Sequence, residues 1–151
     1  MANVQRYLWA DGVAWMTPAS ASIIEVGDFV ALSSDELIPI SEVADAGEAA
    51  DNREAGADGC VGIAAEASAA GETRPIKVQY KGVFRLTQQT AAAIDMGDPV
   101  GIYADATSCS DQLVVEDSTS PIGYCVQNKD STSDVSIKVC LQLSKWQTLN
   151  G

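Results

Sequence analysis

The chain has 151 residues, 46% of them hydrophobic and 6% aromatic, with 21 Asp and Glu against nine Lys and Arg. That length fits one compact domain or two small lobes sharing a core, and the hydrophobic share excludes wholesale disorder while leaving Val, Ile, Leu and Ala to fill the interior. The formal net charge of −12 argues against nucleic acid, which needs a basic surface, and against anionic membranes, and favours a soluble protein that binds other proteins.

In chain order, the start Met-Ala-Asn-Val-Gln-Arg lacks the basic stretch and apolar run of a signal peptide. No later run approaches the roughly 18 apolar residues of a membrane span, so the product is expected to stay where it is made. Residues 1–11 read as an N-terminal arm. Tyr7, Trp9 and Trp15 cluster there and just beyond it, either as interface aromatics or as a cap on the core. Residues 29–32, 61–64 and 76–80 are short, apolar or β-branched, and punctuated by Gly or Asp, which predicts strands. Residues 20–24 and 87–94 suit one or two helical turns. Residues 41–58 are acidic and Ala-rich, with Glu42, Asp45, Glu48, Asp51 and Glu54 at three-residue spacing. Like charges at that spacing and Gly47 weigh against a helix, so either a short helix or a surface loop is expected, solvated and outside the core. Further strands are predicted at 100–103, 113–115, 122–126 and 135–143, the last alternating apolar and polar residues as a half-buried strand does. Residues 144–151 read as a tail carrying Trp146.

The chain repeats itself. Residues 12–32 (GVAWMTPASASIIEVGDFVAL) overlie 82–102 (GVFRLTQQTAAAIDMGDPVGI) at an offset of 70 without a gap, pairing Gly27-Asp28 with Gly97-Asp98. Further on the offset is 61: Val61-Gly62-Ile63-Ala64 overlies Ile122-Gly123-Tyr124-Cys125, and Ile76-Lys77-Val78 overlies Ile137-Lys138-Val139. The first copy therefore carries nine extra residues between Leu32 and Val61, where the acidic segment sits. The fold expected is all-β, a small barrel or sandwich of two diverged β-repeats (about 12–80 and 82–143) with one or two short helical turns.

Chemistry has few candidates. Asp28 and Asp98 hold equivalent places, and a pseudo-twofold would let them share a proton as an acid–base dyad. The Asp-Thr/Ser-Gly turn of enzymes that use such a pair is missing, and Pro99 follows Asp98. The favoured reading makes Gly27, Asp28, Gly97 and Asp98 structural turns in which each carboxylate binds neighbouring amides. There is no histidine to serve as a base, no Gly-x-Ser-x-Gly, and no Gly-rich phosphate loop. Cys60, Cys109, Cys125 and Cys140 form no Cys-x-x-Cys pair and read as free thiols. No catalytic residue, metal or cofactor is expected. Arg74, Lys77, Lys81 and Arg85 concentrate four of the nine cations. On a strand at 76–80, Lys77, Gln79 and Lys81 share the face opposite Ile76, Val78 and Tyr80, either as a stripe that docks an acidic surface or as a solvated face. The interface candidates are Tyr7, Trp9, Trp15, Lys77, Lys81, Arg85 and Trp146.

Ile-x-x-Gly-Asp-x-Val at 24–30, Val-Gly-Ile-Ala at 61–64, Ala-Ala-Gly-Glu at 69–72, Lys-Gly-Val at 81–83 and Ile-Asp-Met-Gly-Asp-Pro-Val at 94–100 together resemble the capsid cement, or decoration, proteins of tailed bacteriophages. The similarity runs from about residue 12 to 143. It implies a structural virion protein, made in the host cytoplasm, that binds the outer surface of an assembled capsid and stabilises it by bridging major capsid protein subunits. It also implies self-association, a trimer being favoured over a dimer. The alternatives are a head fibre or host-surface-binding protein, and a small hydrolase using Asp28 and Asp98.

Overall fold

A computed structural model describes residues 12–130 and 134–147. Ten strands follow one another: β1 (Val13–Met16), β2 (Phe29–Ser33), β3 (Glu36–Pro39), β4 (Cys60–Ala64), β5 (Ile76–Gln79), β6 (Val83–Gln88), β7 (Pro99–Ala104), β8 (Cys109–Glu116), β9 (Gly123–Cys125) and β10 (Ser136–Leu141). A 3-10 turn (Ile40–Glu42) follows β3, helix α1 (Ala49–Gly59) precedes β4, and helix α2 (Ser144–Gln147) follows β10. The fold is mostly β with few short helices, as the strand pattern of the sequence requires.

The first five strands form a sheet in the order β1-β5-β4-β2-β3, and the last five close into a barrel in the order β10-β6-β8-β7-β9. These are one arrangement used twice, with β6, β10, β9, β7 and β8 taking the places of β1, β5, β4, β2 and β3. The barrel closes where β6 runs parallel to β8 through Thr87–Leu113 and Gln88–Val114. In the first copy the same closure shrinks to a single parallel bridge, Pro18–Leu37. Pro18 stands where the second copy has Gln88, and proline offers no N–H to a ladder; β3 has four residues against eight in β8.

The hydrogen bonds repeat with the sequence offsets. Ile24 bridges Ser68 as Ile94 bridges Lys129. Gly27 N–H donates to Ala64 O at 2.8 Å and Gly97 N–H to Cys125 O at 2.7 Å. Ala65 N–H donates to Lys77 O at 2.9 Å and Val126 N–H to Lys138 O at 3.0 Å. The change of offset from 70 to 61 is thus a property of the fold as well as of the sequence.

Two clusters make the interior. Ile24, Val30, Leu37, Val61, Ile76 and Val78 fill the first copy. A larger cluster joins the far side of β2 and β4 (Phe29, Ala31, Cys60, Ile63) to the barrel interior (Val100, Ile102, Val114, Ile122, Val139). The two copies therefore share a core and cannot separate without exposing Phe29 and Ile63.

Two expectations are corrected. Residues 20–24 and 87–94 form no helix; β6 runs on through Gln88, and turns follow. Nor is the acidic segment a solvated excursion. Four of the 11 residues of α1 are alanine, the strongest helix former, and its inner side is tied to the barrel. Asn52, 2% exposed, donates to Asp105 O at 3.0 Å and accepts Ala46 N–H at 2.7 Å. Cys109 Sγ donates to Asn52 O at 3.0 Å. A Cβ on Gly56 would lie 2.7 Å from that sulfur, so only glycine lets the helix lie this close. Ala57 is part of the shared core.

Candidate interaction surfaces

The paired turns hold the two carboxylates of the catalytic reading, Asp28 and Asp98. In each copy a glycine at positive φ, Gly27 at 97° and Gly97 at 95°, reverses the chain ahead of a strand, a conformation that L side chains resist. The aspartate that follows closes the turn: Glu25 N–H donates to Asp28 Oδ2 at 2.8 Å, and Asp95 N–H to Asp98 Oδ2 at 2.9 Å. Asp28 is 4% exposed, and its second oxygen accepts Gln112 Nε2–H at 2.7 Å. That bond ties the turn of the first copy to β8 of the second. Each aspartate is held by the amide three residues before it, and the hydrogen bonds of neither reach the other.

The carboxylate close to Asp28 is instead Asp111. Its Oδ1 and Oδ2 accept Ser41 N–H and Oγ–H at 2.8 and 2.9 Å. Burial, reinforced by the charges of Asp28 and Glu42, pushes the Asp111 carboxyl above its ordinary value, while the Ser41 bonds pull the other way. Cys60 is fully buried, and its thiol is pushed up to about 12 by that burial. Burial raises Cys109 likewise. At neutral pH these are protonated thiols without nucleophilic character. Among the described residues no three His, Cys, Asp or Glu are grouped to hold a metal.

The interface candidates scatter over several elements. Trp15 lies on β1 with 55% of its surface exposed, directly across from Lys77 on β5. Lys77 and Gln79 are half-buried, Ile76 and Val78 fully buried, and Lys81 exposed, so the alternation read from the sequence holds along β5. Arg85 is exposed on a different sheet, across from Lys138 of β10. The cations from Arg74 to Arg85 are therefore not one stripe. Arg74 pairs loosely with Glu66 at 4.0 Å, and Glu66 also accepts Lys77 N–H. Trp146 is half-buried; its ring stacks on Tyr80 with centroids 4.2 Å apart, and Nε1–H donates to Val61 O at 2.8 Å. The residue packs against both hydrophobic clusters. Tyr7 and Trp9 lie outside the described residues.

Other exposed groups escaped sequence reasoning. Val26 and Met96 occupy equivalent turn tips, 62% and 64% exposed, and the offset of 70 already paired them. Ile23 and Val83 are also exposed. Lys129 and Lys138 join Arg85 around a shallow hollow, a grouping set by pairing between strands distant in sequence.

The family model described as phage cement protein matches residues 16–141, a span that takes in both copies. Among solved structures, the N base of the head fibre gp8.5 of bacteriophage phi29 overlays with a TM-score of 0.48 at 14% identity, covering 88% of this chain and 97% of that one. No curated protein matches the chain.

Proposed function

This chain belongs to the phage cement protein family, and from that membership we propose that it binds the outer surface of an assembled phage capsid and stabilises the shell by bridging major capsid protein subunits. The family match over residues 16–141 carries the reading. The physical character of the molecule agrees with it. A pair of small β-units joined by a shared hydrophobic cluster is suited to holding two neighbours at a fixed spacing. Its surface carries exposed apolar tips and scattered cations on a strongly acidic background, a composition suited to docking on protein and not on DNA.

The mechanism is avidity. A single copy that binds weakly still reinforces a shell when every equivalent position is filled and each copy spans a subunit boundary. The protein works on the virion exterior as an oligomer, with a trimer favoured, after synthesis in the host cytoplasm. Trp15, Lys77, Lys81, Arg85 and Trp146, with Tyr7 and Trp9, are the residues proposed to face the capsid or a neighbouring copy. Co-sedimentation tests the reading: the purified protein is expected to pellet with expanded shells and to stay in the supernatant with free DNA. Absence from the shell pellet at every concentration tried would contradict it.

A further inference from the structure

Two surfaces of opposite charge stand on separate elements of this molecule, and the ion pairs seen among the described residues use none of their charged groups. The first lies on the outside of the barrel. Arg85, Lys129 and Lys138 line a hollow of about 250 Å³ together with Gln127 and Asn128, and one carboxylate, Asp134, lies among them. Nine cations serve the whole chain, so three in one hollow is a concentration. Arg85 and Lys138 are direct cross-strand partners, an arrangement of like charges that weakens a sheet unless an anion sits between them.

The hydrogen-bond partners of Arg85 and Lys129 are neutral groups. Arg85 Nη1–H donates to the neutral Ser136 Oγ at 3.2 Å, and Lys129 Nζ–H to Gln88 Oε1 at 2.5 Å and Ala92 O at 2.6 Å. The ion pairs among the described residues are Arg53–Asp117 and Arg74–Glu66, neither of which involves the hollow.

The second surface is the outer side of α1. Asp51, Glu54 and Asp58 are all exposed, and at spacings of three and four residues they fall in one row along the helix. The one cation of the helix, Arg53, is spent on Asp117 at 3.3 Å. Like charges so spaced weaken a helix, and among the described residues the ion pairs seen involve none of the three. Glu54 and Asp58 border a second hollow, of about 360 Å³, with Tyr124, Gln142 and Ser144. Tyr124 is 38% exposed and adds an aromatic ring beside the acids.

We propose that the acidic row of α1 on one copy docks into the Arg85–Lys129–Lys138 hollow of a second copy of this chain. Charge complementarity selects the occupant, because both halves of the contact are present on the same molecule, three cations against one carboxylate in the hollow and three acids in the row. The row comes from the extra residues of the first copy and the hollow from the second, so the asymmetry between the repeats supplies the two unlike faces. Each molecule offers one acidic and one basic face, and copies link through unlike patches. The contact rests on the cement reading only for the expectation that copies meet on a shell; the test uses the protein alone, so its failure and a failure of shell binding are read separately.

Sedimentation equilibrium of the full chain is the test. The wild type is expected to rise above monomer mass within about 1 μM to 1 mM, the range of a weak specific contact. Arg85→Glu with Lys138→Glu, and separately Glu54→Lys with Asp58→Lys, are each expected to weaken association at least about tenfold, roughly what losing 1.4 kcal/mol of contact produces. Mixing the two double variants one to one restores it, because each then meets its opposite charge; a single chain carrying all four changes also self-associates. Thermal melts establish that each variant is folded, and Arg85→Gln with Lys138→Gln provides a milder change at the same place. A wild type that stays monomeric to 1 mM overturns the proposal. So does association that folded reversal variants leave unchanged, or a mixture that fails to recover. Reversal of the hollow that abolishes shell binding while self-association persists assigns the hollow to the shell, and likewise overturns it.

Discussion

Asp28 and Asp98 show how one residue in one turn acquires two different weights. Both accept the amide three residues before them, but Asp28 is buried and also takes Gln112 Nε2–H, whereas Asp98 stays part-exposed. Removing a buried acceptor strands its donors, at about 1–3 kcal/mol; at an exposed turn water replaces it. Asp28→Ala is therefore expected to lower stability by about 1–3 kcal/mol and Asp98→Ala by no more than about 1 kcal/mol, read from urea midpoints at constant slope. Asp111 makes the complementary case. Its carboxyl is raised in the folded chain by burial and by Asp28 and Glu42, so the folded state binds its proton more tightly than the unfolded one. The contribution of that proton is complete below the ordinary value of 3.8 and is lost as pH rises through the raised value. Asp111→Asn keeps an acceptor for Ser41 without the charge. It is expected to raise the melting temperature at neutral pH, with the gain shrinking as pH falls toward about 4.

Among the elements, the repeat was legible because its signals are local. A glycine at positive φ followed by a turn-closing aspartate leaves a fixed sequence mark, and the two alternating stretches at 76–80 and 135–143 became β5 and β10. The helix α1 was not legible in the same way. Its acids argue against a helix, and what holds it is a set of partners distant in sequence: Asp105 for Asn52, Cys109 for Gly56, and Asp117 for Arg53. The turns expected at 20–24 and 87–94 failed for the opposite reason, since helix-compatible residues were taken up by strand pairing and by the Ile24–Ser68 and Ile94–Lys129 bridges. If Asn52 pins the helix, Asn52→Ala is expected to cost about 1–3 kcal/mol and to raise amide exchange across 49–59 before the barrel strands, measured by hydrogen exchange.

At the scale of the whole molecule, two copies share one core and present different outer faces, one bearing the acidic helix and the other the cationic hollow. Asp28 and Asp98 each close a turn of this scaffold. Trp15, Lys77 and Arg85 were singled out from the sequence, but their division between two sheets was not foreseeable, because it depends on where the first copy ends and the barrel begins. The central claim is that this scaffold reinforces a shell. Heating expanded shells with and without saturating protein, and following their disruption by light scattering, tests it most directly. Bound protein is expected to raise the disruption temperature, with the rise saturating at a fixed ratio of protein to capsid subunit; protein that binds at saturation and leaves that temperature unchanged rules out a reinforcing role.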